Sequence, residues 1–257
     1  MRKGIGQKLA YVLAIGSILL VWQVGSLFLP EFLLPGVPKT LVRIGTLVTE
    51  PEFLDGLKSS LYRLAVGYPI ACLVGTALGL IGGISKPFAR YLRALISTLQ
   101  SIPPVTWVPF LVIFFGFGDT PIITVITIAS FFPMALSVLN ATEGVNKTHL
   151  ELARVLGANR FQLLRKVYLP ESFPAFITGA QVSFGNAWRS LIAAEMVGGA
   201  RAGLGWSMRY AGEIADMKGV LALILVIGAI SAILDHFVLE QLKRRLLRYR
   251  FVTGEGR

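Results

Sequence analysis

Two ionisable side chains lie inside one apolar stretch of the sequence, residues 173–196. Arg189 and Glu195 are about 240° apart around a helix, so they do not simply neutralise each other. An ionisable group at membrane depth costs a few kcal/mol and must face a partner or water. A fixed cation suits an anionic solute, so we expect Arg189 to line a pathway for an oxyanion, with Asn186, Trp188 and Glu195 as further candidates. The alternative, an ion pair between Arg189 and Asp235 or Glu195 of a neighbouring helix, stays open.

Motifs for bond-making chemistry are absent from the sequence. No G-x-x-x-x-G-K-[ST] phosphate loop occurs, so the chain does not hold ATP in that way. The glycine-rich run 198–205 lacks the Lys-Ser/Thr pair, and we interpret it as a flexible external turn. His149 and His236 form no metal-binding spacing, and Cys72 is the single cysteine. We therefore expect a protein that is not an enzyme and that binds no metal or cofactor itself.

Two prolines interrupt a second apolar run, residues 94–117. Pro103 and Pro104 each remove an amide donor and clash with the preceding turn, which predicts a kink or a short break. Irregular backbone at membrane depth is tolerated only against protein or water. We expect Pro103, Pro104 and Trp107 to lie near a pathway or a subunit contact; a kink that serves packing alone is the alternative.

Gly75, Gly79 and Gly83 recur every four residues and predict a smooth helix face. The absence of side chains there lets another helix approach closely. The sequence leaves open whether that helix belongs to the same chain or to a second copy.

The elements that position these residues are predicted from hydropathy. Of the 257 residues, 54% are hydrophobic and 15% are charged, which excludes a water-soluble globule and a disordered tail. We expect an all-α membrane protein with one domain over 1–257. The first apolar run is too long for a signal peptide and is interpreted as a retained helix. The six predicted spans, each long enough to cross a bilayer, are 9–29, 64–84, 94–117, 121–141, 173–196 and 219–239.

The distribution of basic residues predicts the orientation. With a cytoplasmic N-terminus, seventeen Lys and Arg residues fall in inside segments, seven in outside segments, and Arg189 within a span. This bias places both termini in the cytoplasm and explains the net charge of +11 without nucleic acid. Arg63 is expected to extend its side chain to the outer interface.

Residues 142–172 form the long cytoplasmic loop. Thr148 and Glu151 fit a capping box that starts a short helix, and Gly157 ends it by a left-handed conformation. Asn159 and Gln162 repeat the start signal for a second amphipathic helix, which we expect Pro170 to end.

The residues of this loop resemble a known motif. Glu151-Leu152-Ala153, then Gly157, Val167 and Leu169-Pro170 at the same spacings, resemble the EAA loop of binding-protein-dependent ABC transporter permeases. Leu152 replaces the usual alanine and Val167 the usual isoleucine. The resemblance covers about 60–250, and two further stretches are similar to the branch that imports nitrate, taurine and aliphatic sulfonates: Gln100–Pro109, and Ala187-Trp188 with Ala194-Glu195-Met196.

The resemblance implies a type I importer permease with the MetI-like fold, in a bacterial inner membrane. It implies a homodimer with two copies of an ATPase subunit, which holds ATP and Mg, and an extracytoplasmic solute-binding protein. The EAA loop would dock on the ATPase. The solute would be small and anionic, such as a sulfonate, taurine, nitrate or bicarbonate.

Two other classes of protein fit the sequence less well. A self-contained secondary transporter would show repeats and paired broken helices. An intramembrane enzyme would show a metal site or a nucleophile within the spans. Neither feature is visible in the sequence.

Overall fold

The computed structural model describes residues 2–198 and 200–235, and these residues form helices and turns without a β-strand. The helices are α1 Arg2–Phe28, α2 Val37–Leu47, α3 Pro51–Ile84, α4 Lys86–Gln100, α5 Val108–Phe115, α6 Asp119–Glu143, α7 Lys147–Val155, α8 Arg160–Leu163, α9 Leu169–Val197, α10 Leu204–Glu213 and α11 Met217–Ile233. A 3-10 turn, Pro104–Trp107, precedes α5, and a π turn, Leu164–Tyr168, joins α8 to α9.

Helix α6 lies at the centre of the molecule, with α3 on one side and α9 on the other. Ile122, Val125 and Ile126 of α6 are fully buried, as are Ala187 and Leu191 of α9. Outward positions of α3 such as Leu73 stay exposed, as expected for a lipid-facing surface. The three helices therefore form the rigid core that positions the other elements.

The glycines of α3 lie against α6 of the same chain. A Cβ atom on Gly75 would come within 3.0 Å of the Met134 Cβ, and one on Gly79 within 2.8 Å of the Val138 Cβ. Gly83 has the same relationship to Thr142, at 2.5 Å. The two helix backbones therefore approach too closely for any side chain at these positions.

Length and hydropathy identify α3 and α6 as helices able to cross a membrane. The segments Lys86–Leu99 and Pro104–Phe115 add a third crossing if they count as one broken span. Val12–Phe28 and Met217–Ile233 are apolar but shorter. The expected six crossings and the orientation of the termini stay predictions; residues 236–239 of the last span and the basic residues beyond them lie outside the described ranges.

The third predicted span is broken where the prolines stand. The two segments meet at 82°, so the element is a sharp corner rather than one kinked helix over 94–117. Pro103 has an extended backbone with ψ 129°, which ends the preceding helical path. The short link to α6 is as expected, with Gly116 and Gly118 at positive φ.

A helix that the sequence analysis did not predict lies within residues 30–60. Helix α2 packs against α11, and α3 begins at Pro51, well before the predicted start of its span. Glu31 accepts hydrogen bonds from Lys218, at 2.7 Å, and from Lys39. These two ammonium groups, Lys218 first, lower the pKa of Glu31 to about 2. Ion pairs thus fasten the α1–α2 connection to the start of α11.

Candidate functional site

The segment 142–172 projects from the helical core and contains α7 and α8. Asn146, rather than Thr148, caps α7: its side chain accepts a hydrogen bond from the Thr148 amide at 2.9 Å. The predicted capping box of Thr148 and Glu151 is therefore wrong, because the helix begins two residues earlier than the motif suggested. Gly157, with φ +79°, ends the first helix as predicted, and Asn159 and Gln162 form the expected capping box.

Pro170 does not end the second helix, contrary to expectation. A proline in an α-helix clashes with the carbonyl four residues earlier, here in the five-residue π turn Leu164–Tyr168. The wider π turn accommodates this clash, so the helical path continues through Pro170 into α9. The segment is thereby continuous with α9, the helix that carries Arg189.

The segment has a small hydrophobic core of its own. Val145, Leu163 and Tyr168 are buried, and Ala153 and Val167 pack against them. The carboxylate of Glu171 lies 2.6 Å from the His149 Nδ1 and accepts a hydrogen bond from the Asn146 amide at 3.3 Å. These contacts join the first turn of α7 to the first turn of α9, so the segment is a folded unit rather than a loose loop.

The outer face of α7 is apolar and uncovered. Leu152 is 58% exposed, Val155 84% and Leu156 77%, which are unusual values for large aliphatic side chains on one short helix. Glu151, Leu169 and Pro170 are also exposed. The motif residues thus divide into those that hold the segment together and those that form an exposed surface.

Arg189 lies in a second region, an open cavity of about 730 Å³ between α9 and the helices α10 and α11. Trp188, Met196, Met208 and Asp235 also line it. The exposed guanidinium of Arg189 donates a hydrogen bond to the Asn186 Oδ1 at 3.1 Å. Within residues 2–198 and 200–235 no carboxylate oxygen lies within 4 Å of this guanidinium.

Trp107 lies in a different cavity. It lines an apolar cavity of about 350 Å³ together with Leu99, Thr127 and Phe131, while Pro103 at the corner is exposed and Pro104 half-buried. The structure does not bring Trp107 and Arg189 together within one subunit. Trp107 also begins a row of aromatic rings with Phe110 and Phe114, at centroid separations of 6.4 and 6.2 Å.

Glu195 lies in neither cavity, because it is fully buried in a network of hydrogen bonds. Its carboxylate accepts hydrogen bonds from Arg63 Nη1 at 2.6 Å, the Ser60 hydroxyl at 2.8 Å and the Gly205 amide at 2.9 Å. Arg63 is 4% exposed and also pairs with Asp119 at 2.7 Å. The expectation that Arg63 reaches the outer interface is therefore wrong, and so is the pairing of Glu195 with Arg189.

The glycine-rich run after α9 is held by the same network. The Leu204 amide donates to the Ser60 hydroxyl at 2.9 Å, and Arg63 donates to the Ala202 carbonyl at 2.8 Å. A Cβ atom on Gly203 would lie 2.5 Å from the carboxyl carbon of Glu195. The described part of this run is therefore fixed against the core, which differs from the predicted flexible turn.

Comparison with known protein families identifies the family of this chain. The model of the binding-protein-dependent transport system inner membrane component family matches residues 75–247, which include the segment 142–172 and Arg189. The chain belongs to this family. The resemblance drawn from the EAA spacing is thereby confirmed.

Two related proteins align with most of the length of this ABC permease. It is 33% identical over 244 residues to a taurine transport system permease protein of Escherichia coli (strain K12), which covers 91% of this chain and 88% of the relative. It is 31% identical over 235 residues to a putative aliphatic sulfonates transport permease protein of Bacillus subtilis (strain 168), with 91% and 84% covered.

The fold of the permease is also found in a solved structure. An inward-facing structure of the MetNI methionine ABC transporter superposes with a TM-score of 0.67 at 21% sequence identity. The alignment covers 76% of this chain and 95% of the other. The permease therefore has the MetI-like fold of type I importers, as expected.

Proposed function

We propose that this permease forms the translocation pathway of an ATP-driven importer in a bacterial inner membrane, as a homodimer that binds two ATPase subunits. ATP and Mg would be held by the ATPase subunits. An extracytoplasmic solute-binding protein would deliver the solute. The exposed apolar face of α7 carries this proposal, since α7 is a formed helix and no element within residues 2–198 and 200–235 covers this face.

The coupling step would use the continuity of the segment with α9. Leu152, Val155 and Leu156 would enter a groove of the ATPase, with Glu151 at the edge of the contact. The His149–Glu171 contact and the π turn make α7, α8 and the start of α9 move together. Closure of the two ATPases on ATP would therefore rotate both copies of α9 and change the access of the pathway.

The proposed topology has six crossings and both termini in the cytoplasm. The excess of Lys and Arg in the segments at that side supports it. α3 and α6 end at the same side of the molecule, because Gly82, Gly83, Thr142 and Glu143 line a common cleft. The broken α4–α5 element would then return the chain across the membrane between them.

The solute would be a small anion such as a sulfonate, taurine, nitrate or bicarbonate. The related permeases named above for taurine and aliphatic sulfonates support this class. Arg189 supplies a cation without a described carboxylate partner, and Asn186 orients it from the preceding turn of α9. Met196, Met208 and Trp188 would give the cavity an adaptable apolar wall.

Cysteine crosslinking to the ATPase tests the proposal. In a Cys72→Ala background, Val155→Cys should crosslink to the ATPase subunit encoded with this chain, whereas Lys166→Cys, which is also exposed but lies off the apolar face, should not. Labelling of Val155→Cys by a membrane-impermeant thiol reagent from outside intact cells would contradict the topology. Gradient-driven uptake by vesicles that contain this chain alone would indicate a secondary transporter instead.

A further inference from the structure

A polar cleft separates α7 from the corner between α3 and α4. It has a volume of about 510 Å³ and is bounded by the ends of α3 and α6, the start of α4 and the inner face of α7. Lys147, Leu150, Glu151 and Arg154 line it from α7, at the spacing of a single helix face. This face adjoins the one that carries Leu152 and Val155, because Val155 follows Glu151 by one helical turn, so Glu151 lies at the boundary between the cleft and the proposed ATPase contact.

Basic side chains dominate the charge of this cleft. Lys86 and Arg90 enter from the first turns of α4, and Lys147 and Arg154 from α7. In the described ranges, 2–198 and 200–235, none of the four forms an ion pair.

The carboxylates of the cleft do not balance these cations. Glu143 is paired with Arg93 at 2.7 Å, which leaves Glu151 as the one lining carboxylate outside an ion pair in the described part of the chain. The cleft therefore has an excess of positive charge that an anion would neutralise.

Two further features favour an anion with several acceptor oxygens. Tyr168 lines the cleft and is 8% exposed, and its hydroxyl donates no hydrogen bond to any described residue. The 15-residue helix α4 begins at Lys86, which lines the cleft, so the positive end of the helix dipole lies at the same space. A phosphate group accepts hydrogen bonds from guanidinium, ammonium and phenol donors together.

The position of the cleft along α3 and α6 indicates the source of the phosphate. It lies at the ends of α3 and α6, the two helices that are long and apolar enough to cross a membrane. In the topology proposed above, on which this step rests, those ends meet the headgroups of the cytoplasmic leaflet. Basic pockets between helix ends on that side are suited to anionic headgroups.

We propose that this cleft binds a phosphate group, supplied by the headgroup of an anionic phospholipid, between the start of α4 and the inner face of α7. The bound phosphate bridges Lys86 and Arg90 on one wall and Lys147 and Arg154 on the other. It thereby fixes the distance between the coupling segment and the helical core. Anionic lipid would then set how firmly movement of α7 is transmitted to the core.

Phospholipid binding by the purified full-length chain, with the subunits that copurify, tests the proposal. Phosphatidylglycerol is titrated in detergent and the bound lipid is measured by native mass spectrometry. The double variant Arg90→Gln with Arg154→Gln should weaken binding about 25-fold, on the basis of about fivefold for each charge. The control, Arg160→Gln with Lys166→Gln, removes two exposed cations of the same segment outside the cleft and should bind like the wild type.

Competition identifies the source of the phosphate. Phosphatidylcholine should bind more weakly than phosphatidylglycerol, since it has no net charge. If inorganic phosphate displaces phosphatidylglycerol at equal concentration, the site is confirmed with a soluble phosphate as its ligand.

Equal phospholipid binding by the cleft variant and the wild type would overturn the proposal, and so would an equal loss of binding in both double variants. If the cleft variant also lost the ATPase while its phospholipid binding was unchanged, the cleft would be a protein contact. A missing crosslink at Val155→Cys would remove the proposed function and leave the phosphate site standing, so the two failures are distinguishable.

Discussion

Arg63 of α3 and Glu195 of α9 are 132 residues apart in sequence and form a buried ion pair, with Nη1 and Oε1 separated by 2.6 Å. The carboxylate has no exposed surface, and the guanidinium side chain is 5% exposed. Ser60 and the Gly205 amide satisfy further acceptor positions of the carboxylate. Together with the Asp119 contact, the pair holds α3, α6, α9 and the start of α10 at one end of the core.

Removal of the Glu195 carboxylate should greatly reduce the stability of the fold. Glu195→Gln leaves the buried Arg63 charge with Asp119 as its remaining carboxylate partner, and breaking a buried pair costs about 3–5 kcal/mol. Thermal denaturation in detergent, followed by tryptophan fluorescence, measures the change.

Asp119→Asn provides the matched control for this pair. The Asp119 side chain is 50% exposed, and Arg63 keeps Glu195 as a partner, so the loss should stay within about 1 kcal/mol. Equal melting temperatures for Glu195→Gln and Asp119→Asn would show that the buried network does not carry the stability assigned to it.

The sequence could not predict this network, because its members are joined by tertiary contacts. Arg63 stands at the edge of an apolar run, where an arginine either extends to the interface or turns inward to a buried carboxylate. The choice depends on which helix packs beside it, and no local pattern contains that information. The sequence around Ser60 does not indicate a role for its hydroxyl, because its partners Glu195 and the Leu204 amide are distant in the chain.

Features that depend on neighbours in the chain were predicted well. The left-handed Gly157, the capping box of Asn159 and Gln162, and the break at Pro103-Pro104 each depend on interactions within a few residues. The structure contradicts two local predictions, at Thr148 and Pro170. In each case the chain adopts another local arrangement: Asn146 caps α7, and a π turn accommodates the proline.

Gly79 should tolerate no side chain. A Cβ atom there would lie 2.8 Å from the Val138 Cβ and 3.0 Å from the Ala135 carbonyl oxygen, so Gly79→Ala must separate α3 from α6. Overpacking of this kind costs about 1–3 kcal/mol. We expect a lower melting temperature and a reduced yield of folded protein on size-exclusion chromatography. Gly16→Ala in α1, where nothing lies within 4 Å, should behave like the wild type.

Val155 should be required for binding of the ATPase and dispensable for folding. Val155→Glu places a charge in the centre of the exposed apolar face and should weaken ATPase binding at least about tenfold, in the range of an interface hot spot. The melting temperature should not change, because the side chain is 84% exposed. Lys166→Glu changes charge by twice as much outside that face; if it released the ATPase as strongly as Val155→Glu, the docking surface would be misassigned.

Glu31 should contribute to stability only where it is ionised. Its folded pKa of about 2 lies below the ordinary value of 4.5, so its contribution is complete above pH 4.5 and is lost as the pH falls towards 2. The difference in melting temperature between wild type and Glu31→Gln should therefore be constant above pH 5 and should shrink below pH 4. A difference that stays unchanged down to pH 2 would show that the Lys218 and Lys39 contacts do not depend on the charge of Glu31.

Arg189 should determine transport of an anionic solute without affecting the fold. Its guanidinium is exposed in the cavity between α9 and α11 and contacts Asn186, so Arg189→Gln removes a charge that no described carboxylate compensates. Hydrogen bonds to a charged group contribute about 1.5–3 kcal/mol, so uptake driven by the loaded binding protein should fall at least about tenfold. Arg189→Lys keeps the charge but loses the forked geometry, and should retain part of the activity. Arg201→Gln removes an exposed cation that does not line this cavity and should transport normally. Normal uptake by Arg189→Gln at equal expression would assign Arg189 a structural role and would require another residue to bind the anion.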